Sequence, residues 1–463
     1  MRTKPFIVIV SVFIAVSFSS FSSSCYADEA LPLKPLGFNE FYQKVLAYYP
    51  KLKQQGSNVE IAIARKFQAQ AGFLPRIQAL ASMATGNDQV YVFGTLLKQR
   101  AFTQSDFELH RLNNPASRTN YNIGVHAEMP LFDALQTIYK VKEAKHMVES
   151  ARYDEAFSRM EALLVASDAY SHTLAVEKLL DVVEGSCKNS EADIKQAEEL
   201  KDKGMVLGAD FYAAKVILGS LRNIRNELRG QKESMHALLN ILMGEDPLGA
   251  IELVDTIQEG AADKKDLKEW LSEAYRSRPD LLSIKEAVYA QEAVVSRERA
   301  SILPNISAFG DLNENTQNFD TGGGSFAVGI KGSIDIFDPA YSSRIKIARE
   351  SLKKLEYDKN IAKDSITKDI TDEYSRFGSI QANLPILHEM AGDSGQAVDL
   401  TLPLYREGRK SIADLLGMRQ GNIATYRSYY IAMVGSKTSQ TRLLYLSGQL
   451  DEVNASKIIL GGE

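Results

Sequence analysis

The sequence predicts a mixed α and β protein in which one structural unit occurs twice. The first observation is the spacing of prolines, because Pro50 and Pro75 stand 25 residues apart, as do Pro279 and Pro304. The second observation is a set of residue pairs that recur with unchanged spacing: Gly124 with Asp133 and Gly329 with Asp338, then Gly204 with Asp210 and Gly408 with Asp414. Matched spacing over most of a chain indicates a tandem duplication.

The N-terminus has the pattern of a secretory signal peptide over residues 1–27. Basic residues within the first four positions precede an apolar run at 6–18, and the small residues Cys25 and Ala27 allow cleavage before Asp28. This apolar run is short for a membrane-spanning helix, which needs about 20 residues. Lipid attachment to Cys25 is the alternative.

Composition and charge exclude several classes of protein. Apolar residues make up 44% and charged residues 24% of the chain, which is typical of an ordered protein. The net charge of −5 becomes −7 once Arg2 and Lys4 are removed with the signal peptide. This acidic balance argues against a nucleic-acid partner, because phosphate neutralisation needs clustered basic residues. Cleavage leaves Cys187 alone, so we expect no intrachain disulfide and no cysteine metal site.

Two long strands are predicted in each copy, near 75–85 and 119–132 in the first and near 304–312 and 325–337 in the second. Apolar and polar residues alternate along them, which predicts one apolar and one wet face. Their length matches the ~9–11 residues of a bilayer-crossing strand, and no later apolar run reaches 18 residues. Since a membrane barrel needs about eight or more strands, we expect a barrel assembled from several subunits.

The two copies differ in length at one place. Their offset is 229 residues at the prolines and 204 or 205 residues afterwards, so an excess of 24 residues lies within 86–118. Loops at a protein surface tolerate insertions because their backbone stays hydrated. We therefore expect the excess to lie outside the barrel at the cell surface, where its deletion would leave assembly intact.

Long helical hairpins are predicted beyond the strands. Helical patterns of about 70 residues end at Gly204 and Gly408, and shorter helices return over 209–243 and 412–447. About 70 helical residues span roughly 100 Å, too long for a globular domain. The predicted division of the chain is a signal peptide (1–27), a first copy (28–245) with hairpin 134–243, a linker (246–275), a second copy (276–448) with hairpin 339–447, and a tail (449–463).

Glycine turns close both hairpins. Gly204 and Gly408 stand where a left-handed residue commonly ends a helix. After the second turn, Ser411 and Asp414 have the spacing of a capping box, and Asp210 falls in the first turn of its returning helix. The two aspartates therefore have two interpretations, as residues that stabilise a helix start or as a ring of charge at a pore mouth.

In the order and spacing of these features the sequence resembles the TolC family of bacterial outer-membrane channels. The proline before each strand pair, the Phe-Asp steps at 132–133 and 337–338 and the glycine turns carry the resemblance, which covers essentially the whole mature chain. It implies a homotrimer in the outer membrane, with four strands per chain in a shared twelve-stranded barrel. The barrel would continue as a periplasmic tunnel of helices, with a periplasmic adaptor protein and an inner-membrane transporter as partners.

The resemblance also implies roles for residues at the turns. Asp414 matches an inward aspartate of the channel entrance, whereas the family's second aspartate would fall on Gly417 and is absent. A closing network would involve Tyr405, Lys410 and Asp210, with lysine in place of an arginine that could bind in bidentate fashion. The positions that would contact the adaptor are the turn glycines, Gly204 and Gly408.

The leading hypothesis is an exit duct of a tripartite efflux system, a passive channel gated at its periplasmic helical tip. The outer-membrane component of a type I protein secretion system is an alternative in the same structural class. A periplasmic coiled-coil scaffold or adhesin is an alternative from another class, but it leaves the four long strands unexplained. The six histidines lack the paired spacing of a metal site, and no phosphate-binding or nucleophile motif occurs. We therefore expect no enzyme activity and no cofactor.

Overall fold

The computed structural model describes residues 34–258, 265–318 and 322–461. The predicted signal peptide and Cys25 lie outside the described residues.

Within these ranges the chain forms eleven α-helices and six β-strands. The helices are α1 (Phe38–Tyr48), α2 (Pro50–Gln70), α3 (Gln89–Lys98), α4 (Leu109–Asn113), α5 (Gln136–Asp202), α6 (Gly208–Met243), α7 (Leu267–Ser277), α8 (Pro279–Ala300), α9 (Tyr341–Arg406), α10 (Ile412–Ser447) and α11 (Glu452–Leu460). The strands are β1 (Lys34–Leu36), β2 (Arg76–Gly86), β3 (Arg118–Asp133), β4 (Ile251–Leu253), β5 (Asn305–Thr316) and β6 (Gly322–Ser333). The series β2, β3, α5, α6 recurs as β5, β6, α9, α10, in agreement with the predicted duplication.

One four-stranded antiparallel sheet joins the two copies. Its order is β2-β3-β5-β6, so that each copy supplies one hairpin and the β3–β5 pair connects them. β2 and β5 begin directly after Pro75 and Pro304, where a proline cannot continue the preceding helix because it has no N–H to donate. In the described part of the chain, β2 and β6 each have one unpaired edge.

The bounds of the second hairpin differ from the prediction at both ends. The predicted strands near 304–312 and 325–337 were wrong at the loop end, because β5 continues to Thr316 and β6 begins at Gly322. The polar residues there had suggested a loop, but Asn315 accepts a hydrogen bond from Asn120 across the strands at 2.9 Å. At its other end β6 stops at Ser333, because the paired strand β5 begins opposite it after a proline.

An aspartate stabilises the start of each long helix. Asp133 accepts a hydrogen bond from the backbone N–H of Thr137 in α5 at 2.7 Å. Asp338 accepts one from the backbone N–H of Ala340 at 2.8 Å and forms an ion pair with Arg344 of α9 at 2.6 Å. The first N–H groups of a helix have no intrahelical acceptor, and a carboxylate also suits the helix dipole. The repeated Phe-Asp step is therefore the junction between strand and helix.

The helices α5 and α9 contain 67 and 66 residues, and each turns back into a helix of 36 residues. At about 1.5 Å per residue the longer helices span roughly 100 Å. The shorter helix α8 packs against both α5 and α9, and α10 packs against both α5 and α9. The two hairpins therefore lie side by side. In the described ranges, no helix has both the length and the hydrophobicity needed to cross a membrane.

The largest hydrophobic core lies around the middle of the long helices. There β1 pairs in parallel with β4, and α1, α7 and α11 pack around them. The hydroxyl of Tyr170 donates to the backbone carbonyl of Leu36 at 3.0 Å and to Asp255 at 2.7 Å, and Asp255 also accepts from the backbone N–H of Phe38 at 2.8 Å. The predicted linker and tail thus contain β4, most of α7 and α11, all of which contribute to this core.

Two charged groups near this core are poorly solvated: the buried Lys437 and the half-buried Asp168. The ammonium group of Lys437 donates to the carbonyls of Ile458 and Ile459 at the end of α11, and burial lowers its pKa to about 8. Asp168 on α5 has a carboxylate oxygen with no hydrogen-bond partner among the described residues. Burial is the main reason that its pKa rises to about 6. The neighbouring carboxylate of Glu373 acts in the same direction.

The raised pKa of Asp168 predicts how stability changes with pH. Between pH 4 and 6 the native state holds a proton on Asp168 that the unfolded chain has released. The contribution of Asp168 therefore lowers the free energy of unfolding as pH rises through this window. At pH 8 we expect Asp168→Asn to raise the free energy of unfolding by about 1–3 kcal/mol, since one pKa unit corresponds to about 1.4 kcal/mol. At pH 4 the gain should disappear.

Thermal or chemical unfolding of the wild-type and variant proteins at pH 4 and pH 8 measures this difference. Asp364→Asn, at an exposed position of α9, is the matched control and should show no pH-dependent difference. A wild-type protein as stable as Asp168→Asn at pH 8 would contradict the prediction.

Candidate functional site

The two hairpin turns share one backbone conformation. Gly204 and Gly408 have φ values of +75° and +71°. Each glycine N–H donates to the carbonyl three residues earlier, and the next N–H donates to the carbonyl five residues earlier. This is a Schellman ending, which requires a left-handed residue. A Cβ would meet nothing within 4 Å at either position, so glycine is favoured by its φ angle and not by space.

Asp414 takes part in the helix start after the second turn. The hydroxyl oxygen of Ser411 accepts from the backbone N–H of Asp414 at 3.1 Å, and the carboxylate of Asp414 accepts from the backbone N–H of Ser411 at 3.1 Å. These bonds, first among them the one from the Ser411 backbone, lower the pKa of Asp414. The side chain is exposed. The capping interpretation of Asp414 is therefore confirmed, and its role at a pore mouth stays a prediction.

The first turn lacks an equivalent cap. Leu207 stands at the start of α6 and has no side-chain oxygen to offer. Asp210 lies in the first turn of the helix, where its charge suits the helix dipole, and its carboxylate forms no hydrogen bond or ion pair with another described residue. The two turns therefore agree in their backbone but differ in how their returning helices are held.

Tyr405 lies inside the tip and not on its surface. Only 8% of the residue is exposed, and it packs with Phe211, Ile412 and Leu415 in a small core that both hairpins share. Its hydroxyl group has no hydrogen-bond partner among the described residues. Burial raises the pKa of Tyr405, and the negative charge of Asp193 raises it further.

The expected network of Tyr405, Lys410 and Asp210 does not form within one chain. Lys410 is exposed, and in the described chain no hydrogen bond or ion pair joins any two of the three side chains. Contacts from these residues to another subunit stay a prediction.

A buried ion pair that we did not predict from the sequence joins the two hairpins instead. Arg419 of α10 is 7% exposed, and its guanidinium lies 2.6 Å from the carboxylate of Asp193 on α5. It also donates to the hydroxyl of Ser190 on α5 at 3.1 Å. A signal was present, because Arg419 continues the helical spacing of the apolar residues Leu416 and Ile423. A charge within such a stripe predicts a buried partner.

The sheet is the second candidate site. Its apolar face is exposed to an unusual degree, with side chains that are 53% to 76% exposed: Ile77, Met83, Ile123, Leu131, Leu312, Phe326, Val328 and Ile330. The polar face carries charged pairs between strands. His126 lies 2.7 Å from Asp311, and Lys331 lies 2.7 Å from Glu128. Such an apolar surface marks a place of contact with another molecule or with a membrane.

The comparison with known protein families agrees with this geometry. The family model described as outer membrane efflux protein matches residues 41–245 and 270–445. The chain belongs to the outer membrane efflux protein family. The resemblance to TolC-type channels is therefore confirmed, and the family consists of channels and not of enzymes. No curated relative matches the sequence at a significant level.

Solved structures with the same fold include several outer-membrane channels. The CmeC outer membrane channel of Campylobacter jejuni has a TM-score of 0.74 at 16% identity, over 91% of this chain and 88% of that chain. The outer membrane protein VceC of Vibrio cholerae has a TM-score of 0.72 at 13% identity, over 89% and 96%. The open state of the MtrE outer membrane channel of Neisseria gonorrhoeae has a TM-score of 0.68 at 15% identity, over 89% of each chain.

The buried ion pair generates a prediction about stability. Arg419→Met leaves the Asp193 carboxylate buried without its partner, which typically costs about 3–5 kcal/mol. Replacing both residues, as Arg419→Met with Asp193→Leu, removes both charges and should restore most of that loss. Unfolding of the purified proteins measures the two effects.

Arg427→Met is the matched control, because Arg427 lies on the same helix at an exposed position. We expect it to change the free energy of unfolding little. A double variant that is no more stable than Arg419→Met would show that the ion pair is not what makes Arg419 important.

Proposed function

We propose that the protein is the outer-membrane exit duct of a tripartite efflux system, a passive trimeric channel gated at the tips of its helical hairpins. The observation that carries this proposal is the four-stranded sheet, which in the described part of the chain has an exposed apolar face and two unpaired edges. In water such a sheet would expose both its apolar side chains and its edge N–H and C=O groups. A periplasmic scaffold would not explain why the apolar side chains and the edge groups are exposed.

Closure with other copies of the chain would remove both edges. Because every neighbouring pair is antiparallel, β2 and β6 run in opposite directions. The β6 edge of one copy can therefore pair with the β2 edge of the next and keep the barrel antiparallel throughout. Residues 334–337, which were predicted as strand, would be available for this pairing. Three copies would give twelve strands, a number within the range of membrane barrels.

The helical hairpins would continue the barrel as a tunnel that ends at the two turns. Gating requires that the tips move, and the turns are the part of the chain farthest from the sheet. The exposed Lys410 and Asp414 and the half-buried Asp210 are the charged groups that a neighbouring copy could contact there. A periplasmic adaptor would meet the same turns at Gly204 and Gly408, and an inner-membrane transporter would complete the system.

The orientation of the sheet can be tested with neighbouring residues of one strand. Val328 lies on the apolar face, whereas Ala327 pairs with Asp311 on the other face. We expect Val328→Arg to reduce assembly strongly, because an arginine facing the bilayer midplane costs about 2–4 kcal/mol in each copy. Ala327→Arg, the matched control, should assemble.

The measurement is the amount of trimer in isolated outer membranes, with the mass of the detergent-purified protein as the measure of copy number. A monomer in detergent-free buffer, or equal assembly of the two variants, would contradict the proposed barrel.

The charge of Asp414 gives a second test of the channel. Asp414→Asn would remove three carboxylates from the tip of a trimer, and rings of acidic side chains favour cations. We expect weaker cation preference in single-channel recordings. Ser411→Ala is the control, since it breaks the cap at a cost of about 1 kcal/mol without changing charge. Unchanged selectivity in Asp414→Asn would mean that this residue acts only as a cap.

A further inference from the structure

The longer of the two hairpin connections, between β2 and β3, is folded. From the sequence we expected this segment to lie outside the barrel at the cell surface. We call residues 87–117 the mouth cap; it contains α3, a 3₁₀ turn at Gln104–Phe107 and α4. The rings of Phe93, Phe102 and Phe107 pack in series with centroids 4.9 Å apart. The side chain of Gln89 also donates to the backbone carbonyl of Asn113 at 3.0 Å and so joins the two ends. The mouth cap therefore has internal contacts of its own.

One buried glutamine attaches the mouth cap to the sheet. The amide nitrogen of Gln99 donates to the backbone carbonyl of Thr119 and to the side-chain oxygen of Asn120, both at 2.9 Å. Its amide oxygen accepts from the guanidinium of Arg118 at 2.7 Å. Gln99 is only 6% exposed. A buried amide with all of these bonds satisfied is a specific contact, because an unsatisfied one would cost stability.

A second attachment lies at the edge of the sheet formed by β6. The guanidinium of Arg100 donates to the backbone carbonyl of Gly324 in β6 at 2.7 Å. Arg100 itself has a φ of 52°, a left-handed conformation that is uncommon for residues other than glycine. At Gly323 a Cβ would collide with the carbonyl of Lys98, so the backbone of the mouth cap lies directly against β6. The mouth cap thus extends from β3 across β5 to β6.

The mouth cap lies on the polar face of the sheet. Asn120 projects to the same side as His126 and Glu128, and the opposite side carries Tyr121 and Ile123. Beneath the mouth cap, Asn315 is only 4% exposed. In the proposed channel the apolar face meets the lipid, so the polar face lines the lumen.

From this placement we propose that the mouth cap folds inward over the lumen and narrows the outer end of the barrel. This inference rests on the proposed trimeric channel. Three copies would then form a second constriction, at the opposite end of the duct from the helical tips. Solutes that leave the duct would have to pass this constriction, so the mouth cap would limit their size. Passage of larger solutes would require Gln99 and Arg100 to release the sheet.

The experiment measures access to the lumen from outside the cell. A cysteine introduced by Asn313→Cys lies on the polar face next to the covered Asn315, and Cys187, the one native cysteine left after signal cleavage, is buried. Intact cells are treated with a membrane-impermeant maleimide, and the labelling rate is recorded. A cysteine from Leu109→Cys, at a position 76% exposed on the mouth cap, gives the unhindered rate.

We expect Asn313→Cys to react much more slowly than Leu109→Cys. Adding Gln99→Ala should raise the rate by about tenfold or more, because it removes the three hydrogen bonds of Gln99 that hold the closed state. Gln99→Glu should act in the same direction, since a carboxylate cannot donate to Thr119 and Asn120. Val90→Ala, at an exposed position on α3, should leave the rate unchanged.

Equal labelling of Asn313→Cys and Leu109→Cys, or a rate that Gln99→Ala leaves unchanged, would overturn the inward placement. Trimer mass is measured on the same preparations. Absence of trimers would overturn the proposed channel itself, whereas trimers with unhindered labelling would overturn only the mouth cap.

Discussion

The pairing of β3 with β5 is the interaction on which the rest of the structure depends. It is the only strand pair that joins the two copies in the described sheet, and it runs from Tyr121 opposite Thr316 to Asp133 opposite Asn305. Two separate hairpins would be marginally stable. Because α5 follows β3 directly and α8 directly precedes β5, the same pairing brings these helices together. The side-by-side hairpins, and with them the contacts at the tip, follow from it.

Near the tip, a buried ion pair restricts the movement of the two hairpins relative to each other. Within one chain the pair between Arg419 and Asp193 links α10 to α5. Moving these two hairpins apart while water is still excluded would leave both charges unpaired in a poorly solvated place, at a cost that exceeds that of most surface contacts. The hairpins of one chain therefore move together unless water reaches the pair. The hydroxyl of Tyr405, which has no partner among the described residues, lies in the same core, where a new partner would stabilise a different arrangement.

Features marked by single residues at matched spacing could be predicted from the sequence. Prolines, Phe-Asp steps and glycines are local signals, and each marks an observed strand start, helix start or turn. The distal ends of β5 and β6 were missed because their polar residues acquire cross-strand partners only in the folded sheet. The attachments of Gln99 and Arg100 were missed for the same reason, since Arg118 and Asn120 meet Gln99, and Gly324 meets Arg100, only through tertiary structure. The partner of Arg419 lies 226 residues away, at Asp193, and no local pattern connects the two.

The two copies have the same backbone conformation at their turns, but different side chains stabilise the helices that follow. Both turns need a left-handed glycine, yet Ser411 and Asp414 fasten the second returning helix, whereas Leu207 leaves the first one to apolar packing through Phe211. At the other end of the molecule, the first copy has the mouth cap and the second has a short connection. Duplication thus supplied a frame with matched geometry, and these differences between the copies lie at its two ends, where the proposed duct would open and close.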